Sequence, residues 1–153
     1  MLFDKLTNSF FDVKITRTGD YDLVTDKKHK KRSDIHNRVK MINEINPDLT
    51  ISIHMNMYPD SFYYGAQTFY TNVNEKSKEI SEIFQNNLRI NTNTTRVTKE
   101  INNIYLLNNI RCPSVLLELG FLSNQIERNL LIDEKYQNKI ADILYISIVE
   151  YFK

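Results

Sequence analysis

The stretch Thr50-Ile51-Ser52-Ile53-His54-Met55-Asn56 decides the fold. Apolar and β-favouring residues fill it, and turn-forming residues flank it at Asn46–Asp48 and Tyr58–Asp60, which predicts a short buried strand. In open α/β sheets, binding and catalytic groups collect at the carboxyl ends of the strands, so His54 and Asn56 are candidates for a site. The alternative for His54 is a core histidine whose ring hydrogen-bonds a backbone carbonyl.

A second apolar stretch, Pro113–Phe121, predicts another buried strand and contains Glu118. A carboxylate is costly to bury unless it is paired, hydrogen-bonded or close to a metal. The alternative is a strand-end glutamate that reaches solvent or accepts backbone amides. Two neighbouring parallel strands would bring Glu118 and His54 to one edge of the sheet. A histidine ligand beside a carboxylate that is not a ligand suits metal-activated water, but one histidine does not make a zinc site.

The rest of the chain alternates between helical and strand patterns, which predicts a single α/β domain over residues 1–153. We expect a mostly parallel, twisted sheet with helices on both faces, in three layers. The predicted helices cover residues 2–11, 33–45 (with Ser33 or Asp34 as N-cap), 74–90, a short segment ending at 130–131, and 136–152, and further strands are predicted at 13–16 and 66–70. Residues 91–103 have the composition of an exposed loop, and 104–107 form a short apolar piece of open type.

Bulk composition excludes several classes of protein. The chain has 153 residues and a formal net charge of +1, so it has no global field to attract nucleic acid. The basic run 26–32, which includes His29, is expected to be solvated, as is His36. No segment has the length of a membrane span, and no export signal is found. The single cysteine, Cys112, is expected to be a small buried hydrophobe.

Several blocks together resemble the zinc-dependent N-acetylmuramoyl-L-alanine amidases of bacterial cell-wall hydrolysis. Within that family the chain is most similar to the germination-specific amidases of spore formers. The blocks occur in this order: Thr16-Arg17, Arg38–Asn43, Asp48–Asn56, Gly65–Tyr70, Ile104–Leu107 and Leu117–Asn124.

The resemblance implies a function and a set of site residues. The reaction would be hydrolysis of the amide between N-acetylmuramic acid and L-alanine in peptidoglycan, outside the cytoplasm, in maturation of the spore cortex and muramic-lactam formation. His54 would be a Zn²⁺ ligand, and Glu118 would be the catalytic base and then the acid. Asn56 and Tyr105 are assigned substrate-binding or supporting roles on weaker grounds.

The chain also departs from the family pattern. The family's first strand, its glycine-rich motif with a histidine ligand, and a following glutamate ligand have no matching residues here, so the zinc ligand set is incomplete. Three explanations stay open: a truncated reading of an active amidase, an inactive module that binds peptidoglycan or a partner, or a second chain that completes the site. We therefore expect weak zinc binding by this chain alone. We also expect an exposed sheet edge that favours self-association or an accessory protein.

Overall fold

A computed structural model of the protein describes residues 1–19, 21–24, 28 and 30–153. Ten elements follow one another in the described chain. They are α1 (Leu2–Thr7), α2 (Lys30–Ile45), β1 (Thr50–Asn56), β2 (Gln67–Tyr70), α3 (Lys76–Asn91), β3 (Lys99–Glu100), α4 (Tyr105–Asn109), β4 (Ser114–Phe121), α5 (Gln125–Ile132) and α6 (Glu134–Tyr151).

The four strands of the described chain form one sheet in the order β1-β4-β2-β3. The pairs β1–β4 and β2–β3 are parallel, whereas β2 runs antiparallel to β4. The sheet is therefore mostly parallel, as predicted. Strand β4 lies in its interior, which explains why that stretch is apolar almost throughout.

Helices cover both faces of the sheet, and each face has its own core. On one face, α1, α3, α5 and α6 pack against inward-facing residues of β4 such as Val115 and Leu117. On the other face, α2 and α4 pack against Leu116. This arrangement confirms the predicted three layers. Cys112 is buried in the second core, as expected.

The prediction that β1 is a buried strand is wrong. None of its residues is fully buried, and the side chains of Ile53 and Met55 are 45% and 49% exposed. The cause is its position, because β1 lies at the edge of the sheet and pairs only with β4 in the described chain. An apolar sequence can therefore mark a partly covered edge strand as well as a buried one.

The N-terminal predictions also need correction. Helix α1 ends at Thr7 and not at residue 11, because Phe10 adopts a left-handed backbone conformation with φ of 67°. Residues 13–16 form no strand; Val13 packs against the first core instead. Within the predicted basic run, Lys28 is exposed, Lys30–Arg32 form the exposed first turn of α2, and 26, 27 and His29 lie outside the described residues.

Three further boundaries differ from prediction. Helix α2 begins at Lys30, so neither Ser33 nor Asp34 caps it, and Asp34 instead bonds the Leu23 amide and the side chain of Arg38. The short apolar piece at 104–107 belongs to helix α4. The supposed loop 91–103 contains strand β3 and the buried Thr94.

Candidate active site

His54 and Glu118 occupy paired positions on neighbouring strands. They are Cα partners in the parallel register of β1 and β4, so their side chains leave the same face of the sheet. Just beyond this pair the register shifts between His54 and Asn56, and β1 ends. The sequence prediction that these two groups meet at one edge of the sheet is therefore confirmed as a matter of geometry.

Glu118 is held in an environment that disfavours its charge. Its side chain is half-buried, and Oε2 is inaccessible to solvent and has no hydrogen-bond partner among the described residues. Desolvation raises the pKa of this carboxyl to about 7. Oε2 of Glu118 thus neither reaches solvent nor accepts an amide of the described residues, in contrast to the structural alternatives considered above. A carboxyl whose pKa lies near neutrality can both accept and return a proton.

His54 is not a core histidine satisfied by a backbone carbonyl. It is exposed, and its Nε2 lies 2.8 Å from the Oγ atom of Ser52, two residues earlier on the same face of β1. Partial desolvation lowers the pKa of the imidazole, and the positive charge of Arg38 lowers it further. The ring is therefore neutral near pH 7, which is the form that offers a nitrogen lone pair to a metal ion.

Two loops beside this pair are tied together by Glu127 of α5. Its Oε1 accepts the Gly65 amide and its Oε2 accepts the Phe121 amide, both at 2.8 Å. Helix α5 is itself capped by Asn124, whose side chain accepts the amides of Ile126 and Glu127. The segment before β2 and the end of β4 are thus fixed relative to each other beside Glu118.

Strand β2 lies on the side of β4 away from β1, and it adds further polar groups next to Glu118. Gln67 is the Cα partner of Glu118 in the antiparallel pairing of β2 and β4. Its Oε1 accepts a hydrogen bond from Nη1 of Arg96 at 3.2 Å. Arg96 is not identified by sequence reasoning, because it lies in a segment of Asn and Thr residues whose composition predicts an exposed loop. A single arginine within that polar run was the one available signal.

Asn56 and Tyr105 have different positions. Asn56 lies at the end of β1, where its carbonyl accepts the Leu122 amide at 2.8 Å, so its backbone helps to join β1 to the turn after β4. Tyr105 begins α4 and stacks on His36 with ring centroids 4.7 Å apart. In the described part of the chain, no hydrogen bond or ring contact joins Tyr105 to His54 or Glu118. His36 is exposed, as expected, but its stacking on Tyr105 was not predicted from the sequence.

The residues at this site do not complete a zinc centre by themselves. His54 supplies one nitrogen, and no group of three His, Cys, Asp or Glu side chains that could hold a metal ion occurs in the described ranges. The unpartnered Oε2 of Glu118 marks a position where a cation or a proton donor would be stabilised. One imidazole is fewer than the three protein ligands that catalytic zinc normally has, and Glu118 is assigned here as the proton-transfer group and not as a ligand.

Comparison with known proteins identifies the family. Residues 1–150 match the model of the N-acetylmuramoyl-L-alanine amidase family Amidase_3. The chain belongs to this family. The amidase resemblance seen in the sequence is therefore confirmed, and the match spans the His54 and Glu118 strands and the loops around them.

Individual proteins similar to this chain are also amidases. It is 41% identical over 143 residues, 90% of its length, to the germination-specific N-acetylmuramoyl-L-alanine amidase of Bacillus subtilis, and it spans 60% of that relative's length. It superposes on the CwlD amidase of Clostridioides difficile, solved in complex with the GerS lipoprotein, with a TM-score of 0.92 and 39% identity over 99% of this chain and 80% of that one. The catalytic domain of CwlV from Paenibacillus polymyxa gives a TM-score of 0.81 at 26% identity, covering 99% of this chain and 80% of that domain.

Proposed function

We propose that this protein is an N-acetylmuramoyl-L-alanine amidase that acts on peptidoglycan, with Glu118 as the proton-transfer group. The observation that carries the proposal is the half-buried Glu118, with one unpartnered carboxylate oxygen, in register with His54 at the end of β1. Membership of the amidase family supplies the reaction class.

The proton transfers follow from the position of Glu118. Its carboxylate takes a proton from a water molecule as the water oxygen attacks the lactyl carbonyl carbon of N-acetylmuramic acid. When the bond from that carbon to the L-alanine nitrogen breaks, the protonated carboxyl gives the proton to the leaving nitrogen. The products are a lactyl carboxylate and a free amino terminus. A pKa of about 7 serves both steps near neutral pH.

The zinc requirement is part of this proposal. His54 is the described residue best suited to bind the ion, because its ring is neutral and lies beside Glu118. The described residues provide fewer than three protein donors, so water or donors outside the described residues would take the remaining coordination positions. We therefore propose weak retention of zinc by residues 1–153 alone and include no metal-dependent step in the scheme above.

A second candidate function has one observation in its favour. The incomplete ligand set is what an amidase-like module that binds peptidoglycan or a partner without hydrolysis would show. The two functions differ in their need for Glu118. Replacement of Glu118 by alanine would leave binding by such a module intact, whereas it would abolish turnover by an amidase.

The biological setting is proposed from the relatives. The similar amidase from Bacillus subtilis is germination-specific, and we propose action on spore cortex, outside the cytoplasm, during the maturation that forms muramic lactam. The complex of the Clostridioides difficile relative with a lipoprotein supports an accessory protein as a partner here. Among the described residues no helix has the length and apolar character needed to cross a membrane.

The reaction can be tested on a defined substrate. A muramoyl peptide is incubated with the zinc-supplemented protein, and mass spectrometry follows release of the peptide with a free L-alanine amino terminus. The proposal predicts this product for the wild type and its loss in Glu118→Gln. Cleavage at a different bond, or equal cleavage by the two proteins, would overturn the proposal.

A further inference from the structure

Arg96 is held in one position by three parts of the chain. Its Nε donates to the carbonyl oxygen of Tyr64 at 2.7 Å, and its Nη1 donates to Oε1 of Gln67 at 3.2 Å. The guanidinium carbon lies 4.8 Å from the centroid of the Phe121 ring, within the range of a cation–π contact. These contacts fix a side chain that would otherwise lose considerable rotamer freedom on binding a ligand.

Among the described residues, this fixed cation has no acidic partner. All three contacts of Arg96 are to uncharged groups, and within the described ranges no carboxylate forms an ion pair with it. Arg38 provides the contrast, because its guanidinium pairs with Asp34 at 2.8 Å. A partly buried guanidinium has more N–H groups than the two used here. Arg96 therefore presents an unneutralised charge and spare donors in a planar arrangement that matches a carboxylate.

Arg96 also lies beside an open cavity near the proposed reaction centre. The cavity has a volume of about 180 Å³ and is lined by Phe62, Tyr63, Tyr64, Thr95 and Arg96. Gln67, which contacts Arg96, is paired with Glu118 across β2 and β4. Paired Cα atoms in an antiparallel ladder are roughly 5 Å apart, which puts the guanidinium on the order of 10 Å from Glu118. One residue of an extended peptide spans about 3.5 Å, so this distance corresponds to two or three residues.

We propose that Arg96 binds a carboxylate of the stem peptide, on the residue that follows the L-alanine at the cleaved bond, and so selects acidic over amidated peptidoglycan. This inference rests on the proposed function, because it takes the scissile bond to lie at Glu118. The aromatic side chains of the cavity would pack against the apolar part of the peptide. The second residue is joined to the third through its side-chain carboxyl, so its α-carboxylate is free. Two extended residues span about 7 Å and a hydrogen bond adds about 3 Å, so this carboxylate fits the distance of about 10 Å. A carboxylate on the third residue has the same chemistry but would lie about 3.5 Å farther along the peptide.

The test is a set of binding measurements without turnover. Calorimetry compares three muramoyl tripeptides on the Glu118→Gln protein: the free acid, the form with the second residue's α-carboxylate converted to an amide, and the form amidated only at the third residue. Charge-assisted hydrogen bonds predict roughly tenfold to hundredfold tighter binding of the free acid than of the second-residue amide. The third-residue amide should bind like the free acid. Equal affinity for all three peptides would overturn the proposal, and a loss confined to the third-residue amide would overturn the assignment to the second residue.

Variants at Arg96 separate recognition from structural support. Arg96→Gln added to the Glu118→Gln background should reduce affinity for the free acid to that for the second-residue amide, without changing affinity for the amide itself. Arg96→Lys should restore part of the preference, since it keeps the charge but loses the planar donors. Arg89→Gln, on an exposed position of α3, is the matched control and should change neither affinity. An equal loss for acid and amide in Arg96→Gln would show a structural role only.

The outcome is independent of the hydrolysis assay. A preference for the free acid that depends on Arg96, together with no cleavage of any muramoyl peptide, would refute the amidase proposal and keep the binding site. Cleavage at the L-alanine bond with no preference among the three peptides would keep the amidase and refute the role of Arg96.

Discussion

Glu118 and His54 stand opposite each other in the parallel register of β4 and β1, with their side chains on the same face of the sheet. The pairing places a partly desolvated carboxyl and a neutral imidazole side by side near the carboxyl end of β1. Both side chains are positioned by regular strands and not by flexible loops. The geometry follows from two strands that are adjacent in the sheet although they are far apart in the sequence.

Glu118→Gln should lower kcat by roughly a hundredfold to ten-thousandfold, because general acid–base catalysis by a positioned side chain is of that size. Binding of muramoyl peptides should be little changed, since the amide has the same shape. In the wild type, kcat/KM should rise with pH across neutrality, because Glu118 has a pKa of about 7 and acts first as a base. A pH–rate profile that is flat between pH 6 and 8 would contradict this assignment.

Glu118 should also make folding stability depend on pH. Its pKa is raised from 4.5 to about 7 in the folded protein, so between those values the folded state binds more protons than the unfolded state, and stability falls as pH rises. Glu118→Gln removes this penalty and should exceed the wild type in stability at pH 8 by about 1–2 kcal/mol, allowing for solvent screening. Near pH 4 the two should be equal. Urea unfolding at both pH values checks the difference, and a constant difference would contradict it.

Gly65→Ala should destabilise the protein by roughly 1–3 kcal/mol. Gly65 has φ of +94°, and an added Cβ would lie 2.7 Å from Oγ1 of Thr94, which is itself buried. The matched control is Gly19→Ala, whose Cβ would meet only the movable ring of Tyr21 at 3.3 Å. Thermal unfolding of both variants measures the effect, and equal melting temperatures would show that the Gly65 turn tolerates a side chain.

Glu127→Gln should loosen the loops beside the site. One of its two oxygens becomes an NH₂ group that faces a backbone N–H donor, so either the Gly65 or the Phe121 amide loses its acceptor. We expect a loss of about 1–3 kcal/mol and faster hydrogen exchange at these two amides. Glu82→Gln on the exposed side of α3, in a pair 4.0 Å from Lys78, serves as control and should change stability by less than about 0.5 kcal/mol. Unchanged hydrogen exchange at both amides in Glu127→Gln would show that Glu127 does not hold these loops in place.

The β1 edge should promote self-association. Ile53 and Met55 leave an apolar surface beside backbone groups that have no strand partner on that side within the described chain. Ile53→Lys with Met55→Lys should reduce association measured by light scattering. The control places lysine at the exposed Ile126 of α5. A wild-type monomer at high concentration would contradict the prediction.

Much of this architecture could be predicted from the sequence, because long amphipathic helices and apolar strands carry strong periodic signals. Helices α3 and α6 and strand β4 lie close to their predicted bounds. The prediction of a strand at 13–16 is wrong, because alternating apolar and polar residues do not show whether another strand is available to pair with. The prediction that β1 is buried is wrong for a similar reason, because edge strands and interior strands can have the same apolar composition.

The candidate site was only partly visible in the sequence. His54 and Glu118 could be found because each is a polar group at an anomalous place in an apolar run. Arg96 could not, because its place beside Gln67 depends on the pairing of β2 with β4 and on contacts with Tyr64 and Phe121. Such convergence of segments distant in sequence has no local signature.

The most direct test of the central claim compares wild-type protein with Glu118→Gln on one muramoyl peptide, in the presence of zinc, with mass spectrometry of the products. The account predicts that the wild type releases a peptide beginning with free L-alanine, and that Glu118→Gln binds the substrate but releases at most about one hundredth as much. No release by the wild type, or equal release by both proteins, would contradict the claim that this chain is an amidase with Glu118 as its proton-transfer group.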